Sequence, residues 1–98
     1  MGKAREQESK IFKIKKLEKG DKFYTFDGYL NHIISIIYDE DTPFVFYKYW
    51  IKHKGYYGYA VKELELVLYG ISILIDLSKE DRKELYKLNN LEDAYTLQ

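Results

Sequence analysis

The chain has 98 residues, no cysteine, and sixteen basic against sixteen acidic side chains. This length suffices for one domain with a single modest core, and the lack of cysteine excludes disulfides and thiolate-bound metals. The zero net charge argues against a general nucleic-acid binder. Because no apolar run is long enough for a membrane span and the charged N-terminus is not a signal peptide, we expect a cytoplasmic protein without membrane contact.

The N-terminal part of the chain predicts a tail and then the start of a domain. Residues 1–10 are polar and predict a flexible tail, and residues 11–98 predict a single globular domain. Residues 11–17 fit either a short edge strand or a helix. The segment from Glu18 to Asp21 contains glycine and charged residues and predicts a turn.

Strand signals dominate the next part of the chain. Residues 22–26 are aromatic and β-branched, and the Asp27-Gly28 dipeptide after them predicts a two-residue hairpin turn. Residues 29–38 are rich in isoleucine and predict a full strand. The acidic segment 39–43, which ends in the only proline, predicts the turn that follows.

The second half predicts more strands. Residues 44–52 predict an aromatic strand, and residues 56–61 predict its hairpin partner across a turn at 53–55. Leucine alternates with glutamate or valine over residues 64–68, which indicates period two and another strand. Residues 71–77 predict a further strand, or a continuation of the preceding one through a bulge at glycine.

A single helix is predicted at the end of the domain. Ser78 is a typical N-cap, and acidic residues in the following turn favour a helix start. The helix is predicted over about residues 79–89 and to end at Asn89-Asn90. The whole pattern predicts a mainly β, α+β domain, with strands over about residues 22–77 and this C-terminal helix.

Part of the chain resembles small SH3-like β-barrels, which uncharacterised bacterial and phage proteins contain. The resemblance is carried by Leu17-Glu18-Lys19-Gly20-Asp21-Lys22-Phe23, by a strand that ends in an acidic turn, and by Val45-Phe46-Tyr47-Lys48-Tyr49-Trp50. It covers about residues 17–69. It implies a small antiparallel barrel or a rolled sheet of five or six short strands, capped by the C-terminal helix. Such a fold does not by itself determine function.

Period-two alternation divides the aromatic strand into two faces. One set is Phe44, Phe46, Lys48, Trp50 and Lys52, and the other is Val45, Tyr47, Tyr49, Ile51 and His53. Because lysine is rarely buried, we expect the set with the lysines to face outward and the other set to form core. The competing assignment buries the phenylalanines and the tryptophan and extends the lysines along the rim.

The sequence contains no motif for catalysis, cofactor binding or metal binding. His32 and His53 lack metal-ligand spacing, and the acidic turn lacks the glycine and final glutamate of a calcium loop. The serines lie outside any nucleophile-elbow sequence, and Gly55 to Gly58 does not match a phosphate-binding loop. We therefore expect no enzyme, no cofactor and no metal site.

Charge alternates in blocks along the chain. The net charge is +4 over residues 1–22, −4 over 23–43, +4 over 44–62 and −4 over 63–98. If the blocks fold onto separate faces, the surface is bipolar and suits self-association. If the strands interleave, the blocks cancel.

The aromatic residues are too numerous for a small domain to enclose, and exposed aromatic clusters usually mark interaction sites. We expect a small binding module that engages a protein partner, or a second copy as a homodimer, through the aromatic hairpin of residues 44–61. Mobile elements and viruses use modules of this kind to modulate host proteins. The predicted contact residues are Phe46, Lys48, Trp50, Lys52, Lys54, Tyr57 and Tyr59.

The alternative function is single-stranded nucleic-acid binding by the same surface. Aromatic side chains beside lysines are the usual platform for stacked bases. Zero net charge and only two arginines, Arg5 and Arg82, weigh against this alternative.

Overall fold

A computed structural model describes residues 14–25 and 27–91, so the predicted tail over residues 1–10 lies outside the described part. The elements are β1 (Lys22–Tyr24), β2 (Leu30–Asp39), β3 (Thr42–Ile51), β4 (Tyr56–Glu63), α1 (Leu64–Leu74) and α2 (Lys79–Leu88). The four strands form one antiparallel sheet in the order β1-β2-β3-β4. The prediction of a mainly β, α+β domain is confirmed.

The sheet is open, and this corrects the expectation of a small barrel. Strands β1 and β4 lie at opposite edges of the sheet and do not pair with each other in the described residues. Those residues also form four strands rather than five or six. The missing strands are the two that were predicted over residues 64–77, where the chain instead forms a helix over Leu64–Leu74 and then a turn.

The leucine-rich segment after β4 is the helix α1, so the strand prediction for it was wrong. The buried residues of α1 are Leu64, Val67, Leu68, Ile71 and Ser72. Their spacing of three and four residues is that of one helical face. Nearly every position in this segment is apolar, so the leucine alternation and the helical period coexist in the sequence. Packing against the sheet favours the helical period, and the segment forms a helix.

The turns follow the local sequence closely. Glu40 and Asp41 both have positive φ, and Asp39 pairs with Thr42 across them, which defines a two-residue hairpin turn. The β1–β2 connection is longer than predicted, because residues 25–29 separate the strands. Within it, Gly28 has a φ of +86° and its N–H donates to the carbonyl of Thr25.

The C-terminal helix was predicted nearly residue for residue. The Ser78 hydroxyl accepts a hydrogen bond from the Asp81 N–H at 3.1 Å, which caps the first turn of α2. At the other end Asn90 adopts a positive φ, and the Leu91 N–H donates back to the Tyr86 carbonyl. Neither described helix is long and apolar enough to cross a membrane.

The core lies between the helices and one face of the sheet. Val45 and Tyr47 of β3 are buried there, together with Leu68 of α1 and Leu85 of α2. The α1 helix packs on β1, β3 and β4, and α2 packs on α1. The strand-parity assignment for β3 is therefore confirmed: the face with Val45 and Tyr47 is the core face.

A buried asparagine joins the two ends of the described chain. The Asn89 amide donates to the carbonyls of Leu85 and Lys15, and its carbonyl oxygen accepts from the Leu17 N–H at 2.9 Å. These bonds hold Leu17, which is 2% exposed, against the core. Because an unpaired buried polar group is unfavourable, the three bonds specify how this segment docks.

The helical assignment of α1 makes a prediction that a strand would not. In a strand, Leu66 and Leu68 would share one face, but in α1 Leu66 is 54% exposed and Leu68 is fully buried. We expect Leu68→Ala to lower the free energy of unfolding by about 3 kcal/mol, because it leaves a cavity. Leu66→Ala should lower it by less than about 1 kcal/mol. Urea denaturation of the two variants measures both values, and equal losses would contradict the helix.

Candidate functional site

The sheet face opposite the helices, here called the outer face, carries side chains from all four strands. Cross-strand register gives its members: Lys22 and Tyr24 of β1; Leu30, His32, Ser35, Ile37 and Asp39 of β2; Thr42, Phe44, Phe46, Lys48 and Trp50 of β3; and Tyr57, Tyr59, Val61 and Glu63 of β4. None of these residues is buried. The helices thus cover one side of the sheet, and no described element covers the other.

A bulge in β2 determines which of its isoleucines reach the outer face. Ile33 pairs with Tyr47 and Ser35 pairs with Phe46, so Ile34 is an extra residue on β2. After the bulge Ile36 packs towards the core, whereas Ile37 is 53% exposed beside Phe44 on the outer face. The bulge therefore adds an aliphatic side chain to this face.

The outer face is strongly apolar for an uncovered surface. Antiparallel sheets that face water on one side usually alternate apolar and polar residues. Here Trp50 is 46% exposed, Tyr59 59% and Val61 59%, and these residues lie on adjacent strands. A contiguous apolar surface of this kind is characteristic of an interaction site.

Contacts among the outer aromatic side chains hold them in defined positions. The rings of Trp50 and Tyr57 meet edge to face with centroids 5.1 Å apart, and those of Phe46 and Tyr59 lie 6.2 Å apart. The Lys48 ammonium lies 4.4 Å from the centroid of the Tyr57 ring, which is a cation–π contact. These contacts reduce the freedom that the side chains would lose on binding a partner.

Five of the seven sequence-predicted contact residues come together on the outer face. They are Phe46, Lys48, Trp50, Tyr57 and Tyr59. Lys52 is exposed in the turn between β3 and β4. Lys54, in the same turn, lines a cleft on the opposite side of the sheet, and its ammonium lies 5.9 Å from the Tyr56 ring.

Sequence reasoning missed the part of the outer face that β2 and the ends of the strands supply. Ile37, His32 and Asp39 belong to it through their pairing with β3. The isoleucine run gave no sign of which residues face outward, because the bulge changes the phase of the alternation. Glu63 was missed because the hairpin partner was predicted to end at residue 61, whereas β4 continues to Glu63.

Opposite charges lie in different rows of the outer face. Lys22, His32 and Lys48 form one row across β1, β2 and β3. Asp39 and Glu63 lie towards the other end of the strands, next to the acidic hairpin turn. The positive and negative charges on this face are therefore separated along the strands and do not alternate.

Partial burial lowers the pKa of His32 from its ordinary value of 6.5, and the nearby Lys22 and Lys48 lower it further. The imidazole is therefore neutral at pH 7. Its ring also meets the Tyr57 ring edge to face at 6.5 Å. The lysine row thus carries its positive charge on the two ammonium groups.

A cleft of about 620 Å³ lies on the inner side, between the sheet and α1. Its lining includes two small residues, Ala60 on β4 and Gly70 on α1. The Tyr49 ring lies over Gly58, and a Cβ atom there would come within 2.6 Å of the ring. Gly58 is therefore required for the position of Tyr49, which forms one wall of the cleft.

Tyr47, which is one of the tyrosines that line this cleft, is a poor candidate for acid–base chemistry. Burial raises the pKa of Tyr47 above 10.0, and the neighbouring Tyr49 and Asp27 raise it further. The phenol therefore stays protonated at neutral pH. Across residues 14–25 and 27–91, no group of three or more histidine, aspartate or glutamate side chains is placed to hold a metal ion.

Comparisons with protein-family models, with curated proteins and with solved structures find no match to this chain.

The charge environment of His32 makes a testable prediction. We expect its imidazole to titrate below pH 6.5, and Lys48→Gln to move the midpoint upward by removing one repulsive charge. The midpoint should still stay below 6.5, because burial is the largest cause of the shift. A proton NMR titration measures it, with Lys83→Gln on α2 as a control that leaves it unchanged.

The lowered pKa of His32 also makes the free energy of unfolding depend on pH. Because the folded state disfavours protonated His32, its contribution to stability is present above about pH 6.5 and is lost as the pH falls through the folded-state pKa. A midpoint at or above 6.5 in the wild-type protein would contradict this account.

Proposed function

We propose that the protein is a small non-enzymatic binding module that engages a protein partner through the outer face. The observation that supports this most directly is the exposure of Trp50, Tyr59 and Val61 on a sheet face that no described element covers. Tryptophan, tyrosine and phenylalanine are enriched in the centres of protein interfaces, where charged residues are few. A module of this kind fits a mobile-element or viral protein that modulates a host protein.

Trp50 is the proposed anchor of the contact. It is the only tryptophan in the chain, and its ring already packs against Tyr57. Interface energy usually concentrates in a few such residues, and truncating one reduces binding by more than about 2 kcal/mol. Phe46 and Tyr59 extend the contact along the neighbouring rows, and Lys48 lies between Trp50 and Phe46 on β3.

We expect a variant with Trp50→Ser and Tyr59→Ser to lose partner binding while it keeps the fold, because both side chains are exposed. The variant and the wild-type protein are each immobilised and exposed to an extract of the native host. A differently tagged copy of the chain is added to the extract. The proteins that each immobilised chain retains are then compared. Retention of the specific partners should fall at least about tenfold.

The matched control removes exposed apolar side chains from the helices. Leu66→Ser and Leu88→Ser remove side chains of similar exposure from α1 and α2. This control should retain the same proteins as wild type, and circular dichroism confirms that all variants fold. Equal retention by wild type and the outer-face variant would contradict the proposal.

The second candidate is binding of single-stranded nucleic acid, which the row of Lys22, His32 and Lys48 beside Trp50 favours. Asp39 and Glu63 on the same face oppose it, because they repel phosphate. Titration of the Trp50 fluorescence with an oligothymidylate at two salt concentrations separates the candidates. The protein-binding proposal expects no saturable change, whereas a nucleic-acid binder gives quenching whose affinity falls with salt.

A further inference from the structure

The outer face carries four zones in order along the strands. Trp50 and Tyr57 lie opposite each other at one end. The lysine row, Lys22-His32-Lys48, comes next. An apolar zone follows, with Phe46 and Val61 opposite each other on β3 and β4. The acidic zone comes next, with Glu63 opposite Phe44 and with Asp39 and the acidic turn beyond them. At about 3.4 Å per residue, the row of Lys48 and the row of Phe44 and Glu63 are about 14 Å apart.

This order makes the face complementary to itself in one orientation. A two-fold axis that lies in the plane of the face, across the strands at Phe46, brings the lysine row of one copy over the acidic zone of the other. The apolar zones then meet at the centre. A two-fold axis along the strands would instead place lysine over lysine, and like charges at an interface are strongly unfavourable. Of these two arrangements, the charges therefore favour the first.

The size of the face is just sufficient for a dimer. The strands have three, ten, ten and eight residues, and at about 3.4 Å by about 4.8 Å per residue they give roughly 500 Å² for each copy, or about 1,000 Å² in total. That total is about the minimum for a specific protein interface. Two sheets packed face to face lie about 10 Å apart, which is the distance that side chains such as Trp50 and Phe46 fill from both sides.

We infer that the partner of the outer face is a second copy of this chain, and that two sheets pack face to face with the lysine row of each copy over the acidic zone of the other. The inference rests on the proposed function and names its partner. A surface for nucleic acid would carry one sign of charge, and this one carries both. In the dimer each copy supplies the same residues, so the interface is isologous.

A charge-exchange experiment tests this inference. Lys48→Glu and Glu63→Lys each place like charges over one another, and the doubly substituted chain restores opposite charges with the positions exchanged. We expect wild type to sediment as a dimer, each single variant to dimerise at least about tenfold more weakly at low salt, and the double variant to regain most of the loss. Sedimentation equilibrium over concentrations up to about 100 μM measures the dissociation constants.

Matched controls and a second charge exchange keep the outcome interpretable. Lys83→Glu and Glu84→Lys make the same charge changes on exposed positions of α2 and should leave dimerisation unchanged. Glu63 immediately precedes α1, so Asp39→Lys, which borders no helix, replaces Glu63→Lys if that variant does not fold. Circular dichroism and thermal unfolding of every variant establish that each is folded.

Two results would overturn the inference. One is a wild-type protein that stays monomeric up to about 100 μM. The other is a double variant as weak as its single variants combined. In either case the proposed function is judged separately, by whether the Trp50 and Tyr59 substitutions abolish retention of other proteins. A dimer that survives both the charge changes and the Trp50 and Tyr59 substitutions forms elsewhere on the chain, and the inference is then wrong.

Discussion

The packing of α1 against one face of β3 is the contact on which the rest of the structure depends. Val45 and Tyr47 are buried beneath this helix, and Leu68, at the centre of its buried stripe, is fully buried. Because side chains alternate along a strand, burying this set requires Phe46, Lys48 and Trp50 to lie on the opposite face. The two helices form one layer only, so that opposite face is left uncovered by the described chain. The candidate site is therefore a direct consequence of how the core is built.

The docking of the N-terminal segment depends on a second, polar constraint. Asn89 ends α2, and its side chain bonds to backbone groups of Lys15 and Leu17, more than seventy positions earlier. The segment that continues from Leu17 bonds to β2 through Gly20 and Asp21, whose backbones pair with Ile33. This brings Lys22 to the edge of the outer face beside His32. One buried amide thus contributes to the position of a charge on the surface at the other side of the sheet.

The outer face combines features that are usually found apart. Its aromatic and aliphatic side chains resemble those of an interface core. A lysine row and an acidic zone lie on either side of Phe46 and Val61. An exposed apolar face favours association in general, whereas the order of charges favours one orientation. In a face-to-face pair the second sheet takes the place that a second helical layer has in a larger domain. The proposed partner and the open architecture thus have the same physical origin, namely a sheet with one face uncovered.

The sequence by itself determined the features that depend on neighbouring residues. Glycine and acidic residues located the turns at 18–21, 39–43 and 53–55. Ser78 and Asn89-Asn90 bounded α2, and alternation with lysine oriented β3. Phe46, Lys48 and Trp50 of the predicted contact residues follow from that alternation. Only the tertiary structure decided the form of residues 64–74, because a segment that is apolar at nearly every position fits a strand and a helix alike until it packs against a partner. The bulge at Ile34 and the exposure of Ile37 were also tertiary outcomes, since register depends on pairing between strands distant in sequence. The tertiary structure also decided that the sheet stays open. Closure depends on contacts between the first and last strands, and no local sequence pattern encodes those contacts.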